Sequence, residues 1–338
     1  MVLKELTALR GVSGNEGAVR NYILEKVKPL CDEVRVDRMG NVIAHLKGSD
    51  ENAPRVMIAG HMDEVGLMIT YITDDGYLKF DEIGGIDPAV LIGRTVRLEC
   101  GLVGVISLKA LHLCEGDEDK KILPIRELCI DIGAKDRAEA EKYVALGSYA
   151  VYRSDYVEFG GSRVKMKALD DRFGCALMLD LIRSDLEYDT TFVFTVQEEV
   201  GARGAAAGAF TTTPDIAVIL ETTTAGDICG VEGDRRACVL GDGPVISYMD
   251  RGTVYDHGLY RLAMDTAKEQ GIPAQTKTLV AGGNDSSSIQ RTGAGSRVLA
   301  ISAPTRYLHS PVDVLDRNDV ENMQKLLKVL LPKLAEEA

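Results

Sequence analysis

The second half of the chain alternates between two periodicities. VKMKAL (164–169) reads as a strand and RFGCALMLDLIR (172–183) as a helix; TFVFTV (191–196) is strand-like, and a helical stretch follows Gly201. IAVIL (216–220) is strand-like, YRLAMDTAKEQ (260–270) helical, and VENMQKLLKVLLPKLAEE (320–337) ends the pattern with apolar residues at helical spacing. Short apolar strands alternating with helices predict an α/β domain whose central sheet is covered on both faces.

The first 66 residues begin the same pattern. SGNE (13–16) reads as a capping box before a helix through VRNYILEKV (19–27). VRVDRMGNVIAHL (34–46) predicts a hairpin around Met39-Gly40-Asn41, and RVMIAG (55–60) a buried strand. Between these halves the character changes. MITYIT, YLKFDEI, TVRLEC and LVGVISL, spread over 68–108, are β-patterned pieces separated by turns. One helix is predicted around DRAEAEKYVALG (136–147), and DEDKK (117–121) reads as a charged, solvated loop. Closely spaced short strands predict a small β-barrel or sandwich. The economical architecture is a discontinuous α/β domain, residues 1–66 and 166–338, carrying a β-rich insertion over 67–165.

Composition narrows the function classes. The 338 residues are 45% hydrophobic, enough for a large core, and the net charge is -13. An acidic chain of this kind argues against nucleic acid, which asks for a basic patch. The seven cysteines are odd in number and show no CxxC spacing, against a disulfide framework or a zinc knuckle. No apolar leader opens the sequence and no run reaches the ~18 apolar residues of a membrane span. A cytoplasmic protein without a membrane partner is the expectation.

In open α/β sheets ligands gather at the carboxyl ends of strands. Charged residues follow the apolar strands at five places: His61 and Asp63 after RVMIAG, Asp170-Asp171 after VKMKAL, Glu198-Glu199 after TFVFTVQ, Glu221 after IAVIL, and His309 after RVLAISAPTRYL. Taken singly, each has an ordinary reading. Paired glutamates sit on solvated faces, Asp170-Asp171 can cap a helix, and His309 before Ser-Pro can mark a turn. Together they supply imidazole and carboxylate groups without cysteine, a set suited to zinc, cobalt or manganese. His61, Asp170, Glu199, Glu221 and His309 are enough for two ions sharing one carboxylate, and Glu198 is then free to act as a general base. A cation would also make the adjacent Glu198-Glu199 pair tolerable.

Several segments carry a resemblance: LRGVSGNEGAVRNYI (9–23), AGHMDEVGLM (59–68), KALDDRFGC (167–175), VQEEVGARGA (196–205), GGNDSSSI (282–289) and PTRYLHSPVDV (304–314). In this order the chain resembles the tetrahedral aminopeptidases, the glutamyl and deblocking group of dinuclear zinc peptidases. The resemblance implies a zinc-peptidase-like three-layer αβα domain with a mixed sheet, and a small PDZ-like β-barrel used for dimerisation. It implies two divalent metal ions per subunit, zinc or cobalt. Asp170 would bridge them, with His61, Glu199, Glu221 and His309 as further ligands. Asp63 would orient His61, and Glu198 would be the general base and acid. Assembly into a homo-oligomer, a dimer building a tetrahedral dodecamer, is also implied. The sequence departs from the family at Glu221, usually Asp; at Asp171, commonly Asn; and in GGNDSSSI.

The activity so implied is removal of N-terminal residues from peptides with a free N-terminus, by a metal-activated water. The alternative sharing the same metal logic is an N-acyl amino-acid deacylase or another dinuclear amidohydrolase. A glycosidase is disfavoured because there is no Trp and only 5% of residues are aromatic. It would also leave His61 and His309 without a role. A non-catalytic assembly protein is disfavoured because every expected ligand and the base are present.

Overall fold

The computed structural model describes residues 2–48, 53–107, 111–113, 122–184, 186 and 188–337. Its strands, in chain order, are β1 (Glu33–Val36), β2 (Val42–Leu46), β3 (Val56–His61), β4 (Gly66–Ile72), β5 (Leu78–Ile83), β6 (Thr95–Leu98), β7 (Val103–Ile106), β8 (Ile130–Asp131), β9 (Tyr149–Tyr152), β10 (Val157–Phe159), β11 (Arg163–Met166), β12 (Thr190–Thr195), β13 (Ile216–Thr224), β14 (Val245–Ile246), β15 (Gln275–Thr276), β16 (Arg297–Arg306) and β17 (Asp313–Asp316). The α-helices are α1 (Leu3–Ala8), α2 (Gly17–Val27), α3 (Arg137–Ala140), α4 (Leu169–Ile182), α5 (Arg203–Thr212), α6 (His257–Glu269), α7 (Ser286–Ile289) and α8 (Arg317–Ala335).

One large sheet runs β1-β2-β12-β3-β13-β16-β17-β11-β10, with β14 on β16 and β15 on β14. The centre is parallel, β12 on β3, β3 on β13 and β13 on β16, while the flanks are antiparallel. Strand periodicity explains the layering. Val56 and Ile58, Phe192 and Phe194, and Val218 and Leu220 join one apolar cluster with α1, α2, α4, α6 and α8. Their alternates Met57, Ala59, Val193, Ala217 and Ile219 join a second, with Ala205 and Ala209 of α5 and Ile289 of α7. Each central strand is therefore buried on both faces, and the result is a three-layer αβα unit.

β4, β5, β8, β7, β6 and β9 close a six-stranded barrel with a separate core that includes Leu67, Ile69, Phe80, Val96 and Ile106. Its last strand ends at Tyr152, and β10 and β11 already pair in the large sheet.

Two local expectations are corrected. SGNE does not form a capping box. Ser13 Oγ donates to Asp63 Oδ2 at 2.6 Å and Glu16 folds back to accept the Gly14 N–H at 2.6 Å, so α2 begins without a side-chain cap. The helix predicted over 136–147 is one turn, α3, capped by Asp136 accepting from Glu139 N–H. Only Ala140 and Val144 reach the barrel core, and the chain must turn at Gly147 (φ +84°) to enter β9. The charged stretch 117–121 lies outside the described residues.

Candidate active site

The parallel centre of the sheet brings the charged residues together. β3 ends on His61, which pairs in register with Thr195, the last residue of β12. The β12–α5 connection carries Glu198 and Glu199. Glu221 lies inside β13 rather than after it, because that strand continues to Thr224. Asp170 opens α4, and His309 follows β16 in the left-handed region (φ +61°).

Two groups of potential ligand atoms result: His61, Asp170 and Glu221; and Asp170, Glu199 and His309. Within each group the atoms lie within 4.8 Å of one another. Asp170 belongs to both. Its Oδ1 is 3.2 Å from His61 Nε2 and its Oδ2 is 3.5 Å from His309 Nε2. Glu221 Oε1 stands 3.8 Å from His61 Nε2, and Glu199 Oε2 3.2 Å from His309 Nε2. The other ring nitrogens point outward. His61 Nδ1 meets the Asp63 carbonyl at 3.1 Å, and His309 Nδ1 meets the Gly85 carbonyl at 2.6 Å. Nδ1 donation of this kind leaves both Nε2 atoms facing the carboxylates, the tautomer a metal ligand requires.

Asp63 joins neither group. Its Oδ1 accepts the Glu198 N–H and its Oδ2 the Glu199 N–H, each at 3.1 Å, and Ser13 Oγ adds a third bond. Burial pushes this carboxyl up, but hydrogen bonding and charge from His61 outweigh it and hold it below its ordinary value. Asn41 braces the same connection, accepting from Val196 N–H and donating to the Gly204 carbonyl.

The electrostatics are those of a crowded acidic site. Burial pushes Glu198 well above the carboxylate range, with Asp285, Glu199 and Asp63 acting in the same direction. Burial raises Glu199 to about 7, and burial with the Asp170 charge raises Glu221 strongly. Burial opposes protonation of His309, but Asp170 and Glu199 lift it to about 10. His61 is likewise held well above its ordinary value by Glu221, Asp170 and Asp63, against its burial. Five carboxyl groups, of Asp63, Asp170, Glu198, Glu199 and Glu221, face two imidazoles, and without a further cation burial holds the three glutamates toward their protonated form. This donor set fits divalent cations of the zinc or cobalt kind: imidazole Nε2 and carboxylate oxygens, one carboxylate shared, no thiolate.

Asp171 is wholly buried beside the site. Its Oδ2 accepts the His61 N–H at 3.2 Å and its Oδ1 the Gly174 N–H at 3.0 Å. A Cβ on Gly60 or Gly174 would run into this carboxylate. Burial, reinforced by Asp170, pushes Asp171 well above its ordinary range.

Three supporting features were not anticipated from sequence. Ser13 stands in a capping-box pattern but bonds Asp63 instead. Gly84 and Gly85 belong to the barrel segment, yet Gly85 holds His309. Gly84 (φ +84°) passes so near Glu199 that an added Cβ would lie 3.2 Å from the Glu199 Cβ. The run GGIDP (84–88) was the available signal, a glycine pair allowing close backbone approach. Thr195 Oγ1 donates to the buried Asp285 at 2.5 Å beneath Glu198, and nothing in local sequence pairs those two.

The model of the M42 glutamyl aminopeptidase family matches residues 40–326. The lysyl aminopeptidase of Pyrococcus furiosus is 35% identical over 344 residues, covering 98% of this chain and 96% of that protein. Among solved structures, an aminopeptidase from the archaeon Desulfurococcus kamchatkensis superposes with a TM-score of 0.93 at 35% identity, over 99% of this chain and 96% of that one. The TET1 peptidase of Pyrococcus horikoshii, described as able to assemble into a tetrahedron or a large octahedral shell, gives 0.85 at 37% identity, over 97% of each chain.

Proposed function

This chain belongs to the M42 glutamyl aminopeptidase family and is a metal-dependent peptide hydrolase; we propose that it removes N-terminal residues from peptides with a free amino terminus, with Glu198 as the proton-transfer group. The observation that carries the reading is Asp170, whose two oxygens face His61 on one side and His309 on the other. His61, Asp170 and Glu221 would hold one divalent ion, and Asp170, Glu199 and His309 a second, zinc or cobalt in each case. Bound there, such ions supply Lewis-acid polarisation of the scissile carbonyl and acidify the attacking water.

The remaining work falls to side chains. Glu198 belongs to neither donor group, so its carboxylate is free to take a proton from the water. A carboxyl whose pKa is raised by burial is suited to hold that proton and then deliver it to the departing amine. Asp63 holds the Glu198 and Glu199 N–H groups and faces the His61 ring, so it positions base and ligands together. The acidic surroundings of the site suit a substrate ammonium, which supports exopeptidase action over cleavage within a chain.

We further assign the barrel strands, β4 to β9, to an inserted dimerisation domain and the large sheet with its helices, β10 and β11 included, to the catalytic domain, which moves the end of the insertion from 165 back toward Tyr152. Exposed Met68, Tyr71, Val103 and Val105 on the barrel strands support that use. Assembly of dimers into a tetrahedral dodecamer is proposed from the tetrahedron described for the P. horikoshii relative and the dodecamer described for PhTET1-12s. A cytoplasmic setting is proposed from the sequence; no helix among the described residues is long and apolar enough to cross a membrane.

The test is a metal-stripped preparation restored with zinc or cobalt and given fluorogenic aminoacyl amides beside their N-acetylated twins. Metal-dependent cleavage confined to the free amines is expected. Cleavage of the acetylated set instead would replace this reading with a deacylase.

A further inference from the structure

Where the barrel meets the αβα unit lies a cavity of about 300 Å³, separate from the candidate active site. Three arginines from three segments line it: Arg10, just after α1; Arg97, in β6; and Arg153, just after β9. Strand alternation places the last two. Val96 and Leu98 of β6, with Ala150 and Tyr152 of β9, join the barrel core, so Arg97, Val151 and Arg153 turn to its outer face. Arg97 stands opposite Val151 in register, and the Arg153 N–H donates to the Thr95 carbonyl. Arg97 and Arg153 are thus diagonal neighbours on paired strands, within reach of long side chains. Arg10 is fixed against the same strand, its Nη1 donating to the carbonyls of Leu98 and Glu99 at 2.7 and 2.9 Å.

The chain has a net charge of -13, so carboxylates are plentiful. Even so, among the described residues none makes a hydrogen bond or ion pair with the side chain of Arg10, Arg97 or Arg153. Asp155 is the one carboxylate in the lining; it is exposed and pairs with none of the three. Lys167 also lines the cavity, but its Nζ is spent on the Leu9 carbonyl and on both Glu64 oxygens. Arg10 keeps the N–H groups of Nε and Nη2 free, and Arg97 and Arg153 keep all of theirs. Gathered like charges repel one another, and an anion placed among them relieves that repulsion. One guanidinium fork satisfies a planar carboxylate. Forks arriving from three segments match an oxyanion with more than two acceptor oxygens.

We propose that this cavity binds a small phosphate-bearing anion, inorganic phosphate or a phosphomonoester, and that the anion ties the barrel to the αβα unit. The walls connect it to the loops that carry the candidate metal ligands. The Tyr152 hydroxyl donates to the His309 carbonyl at 3.4 Å, and Ser154 Oγ to the Pro311 carbonyl at 2.6 Å. Tyr152 and Lys167 also bound a void of about 10 Å³, room for about one water, whose lining includes Asp170, Glu199 and His309. An occupant therefore lies one layer of side chains behind the ligand groups.

The test is calorimetric titration of inorganic phosphate into metal-loaded wild type, Arg97→Ala and Arg153→Ala at constant ionic strength, and it needs no turnover. The wild type is expected to bind one phosphate per subunit in this cavity. Each variant is expected to lose about tenfold or more in affinity, the scale of a hydrogen bond between charged groups. Arg97→Lys, which keeps the charge and loses the fork, is expected to lose less than Arg97→Ala. Phosphate should also raise the unfolding temperature of the wild type and raise it less in the alanine variants, because a ligand that binds only the folded state stabilises it. Unfolding in phosphate-free buffer shows whether each variant is folded. Acetate, a planar carboxylate, is expected to bind about tenfold more weakly than phosphate. Glycerol 3-phosphate separates the two sources: tighter binding than phosphate identifies a phosphomonoester as the occupant, weaker binding the free ion. No phosphate binding to the wild type overturns the proposal. So does equal affinity in wild type and folded alanine variants, which would place the phosphate on the metal ions instead. Acetate bound as tightly as phosphate overturns the assigned ligand class.

Discussion

Asp63 accepts the backbone N–H of Glu198 at 3.1 Å with the same oxygen, Oδ1, that stands 3.4 Å from His61 Nδ1. One carboxylate thus couples a proposed metal ligand to the proposed base, and its other oxygen takes Glu199 N–H and Ser13 Oγ.

Asp63→Asn keeps the shape but breaks this arrangement, since its amide oxygen can accept only one of the two N–H groups and its amide nitrogen cannot accept the other. Metal affinity should fall about 10–100-fold, the usual effect of losing such an outer partner. kcat should fall further than affinity accounts for, because Glu198 is displaced as well. Metal content by mass spectrometry, set beside kcat at saturating metal, separates the two. Unchanged kcat at full loading would remove Asp63 from the positioning of Glu198.

Metal loading should depend on pH in a stated direction. In metal-stripped protein Glu199, raised to about 7, and His309, raised to about 10, carry protons that a metal ligand must lose. The free state therefore binds more protons than the loaded state, and affinity rises with pH. Loading releases the His309 proton at pH 8 and adds the Glu199 proton at pH 6, so this donor group should release more protons at the lower pH. Calorimetry in buffers of different ionisation enthalpy measures the number. Release that does not grow between pH 8 and pH 6 would contradict the electrostatic description.

Much of this was legible in the sequence, for a physical reason. The alternation of Val56, Met57, Ile58 and Ala59 between two apolar faces requires a sheet covered on both sides, and that pattern is local. So is the placement of charge at strand ends, which pointed to His61, Asp170, Glu199 and His309. What was not legible depends on contacts distant in sequence. Ser13 carries a helix-capping pattern, but its side chain is turned to donate to Asp63, 50 residues away, and accepts no N–H of α2. Gly85 sits in the barrel segment and supports His309 across 224 residues. Glu221 was expected after a strand whose pairing with β16 in fact carries it on to Thr224.

A buried charge cluster fixes the arm that carries His61 and Asp63. Glu64 accepts from Lys167 Nζ at 2.7 Å and Arg172 Nη2 at 3.3 Å, and all three residues are at least 96% buried. Arg172 also donates to the carbonyls of Met62 and Leu6, tying the N-terminal segment to the end of β3. Glu64→Gln leaves two buried cations with reduced compensation and should destabilise the fold by about 3–5 kcal/mol, the cost of breaking a buried pair. Chemical denaturation of the wild type and the variant under the same metal conditions measures it. A change below about 1 kcal/mol, the scale of an exposed pair, would mean the cluster contributes little.

The proposed chemistry divides labour between adjacent glutamates, with Glu199 as ligand and Glu198 as base. Glu198→Gln, stripped and reconstituted, measures it most directly when metal content and turnover are read on one sample. Two ions per subunit retained with turnover reduced by about 10²–10⁴-fold is the predicted result. Retained turnover at full metal occupancy would contradict the role given to Glu198, and loss of an ion would make Glu198 a ligand.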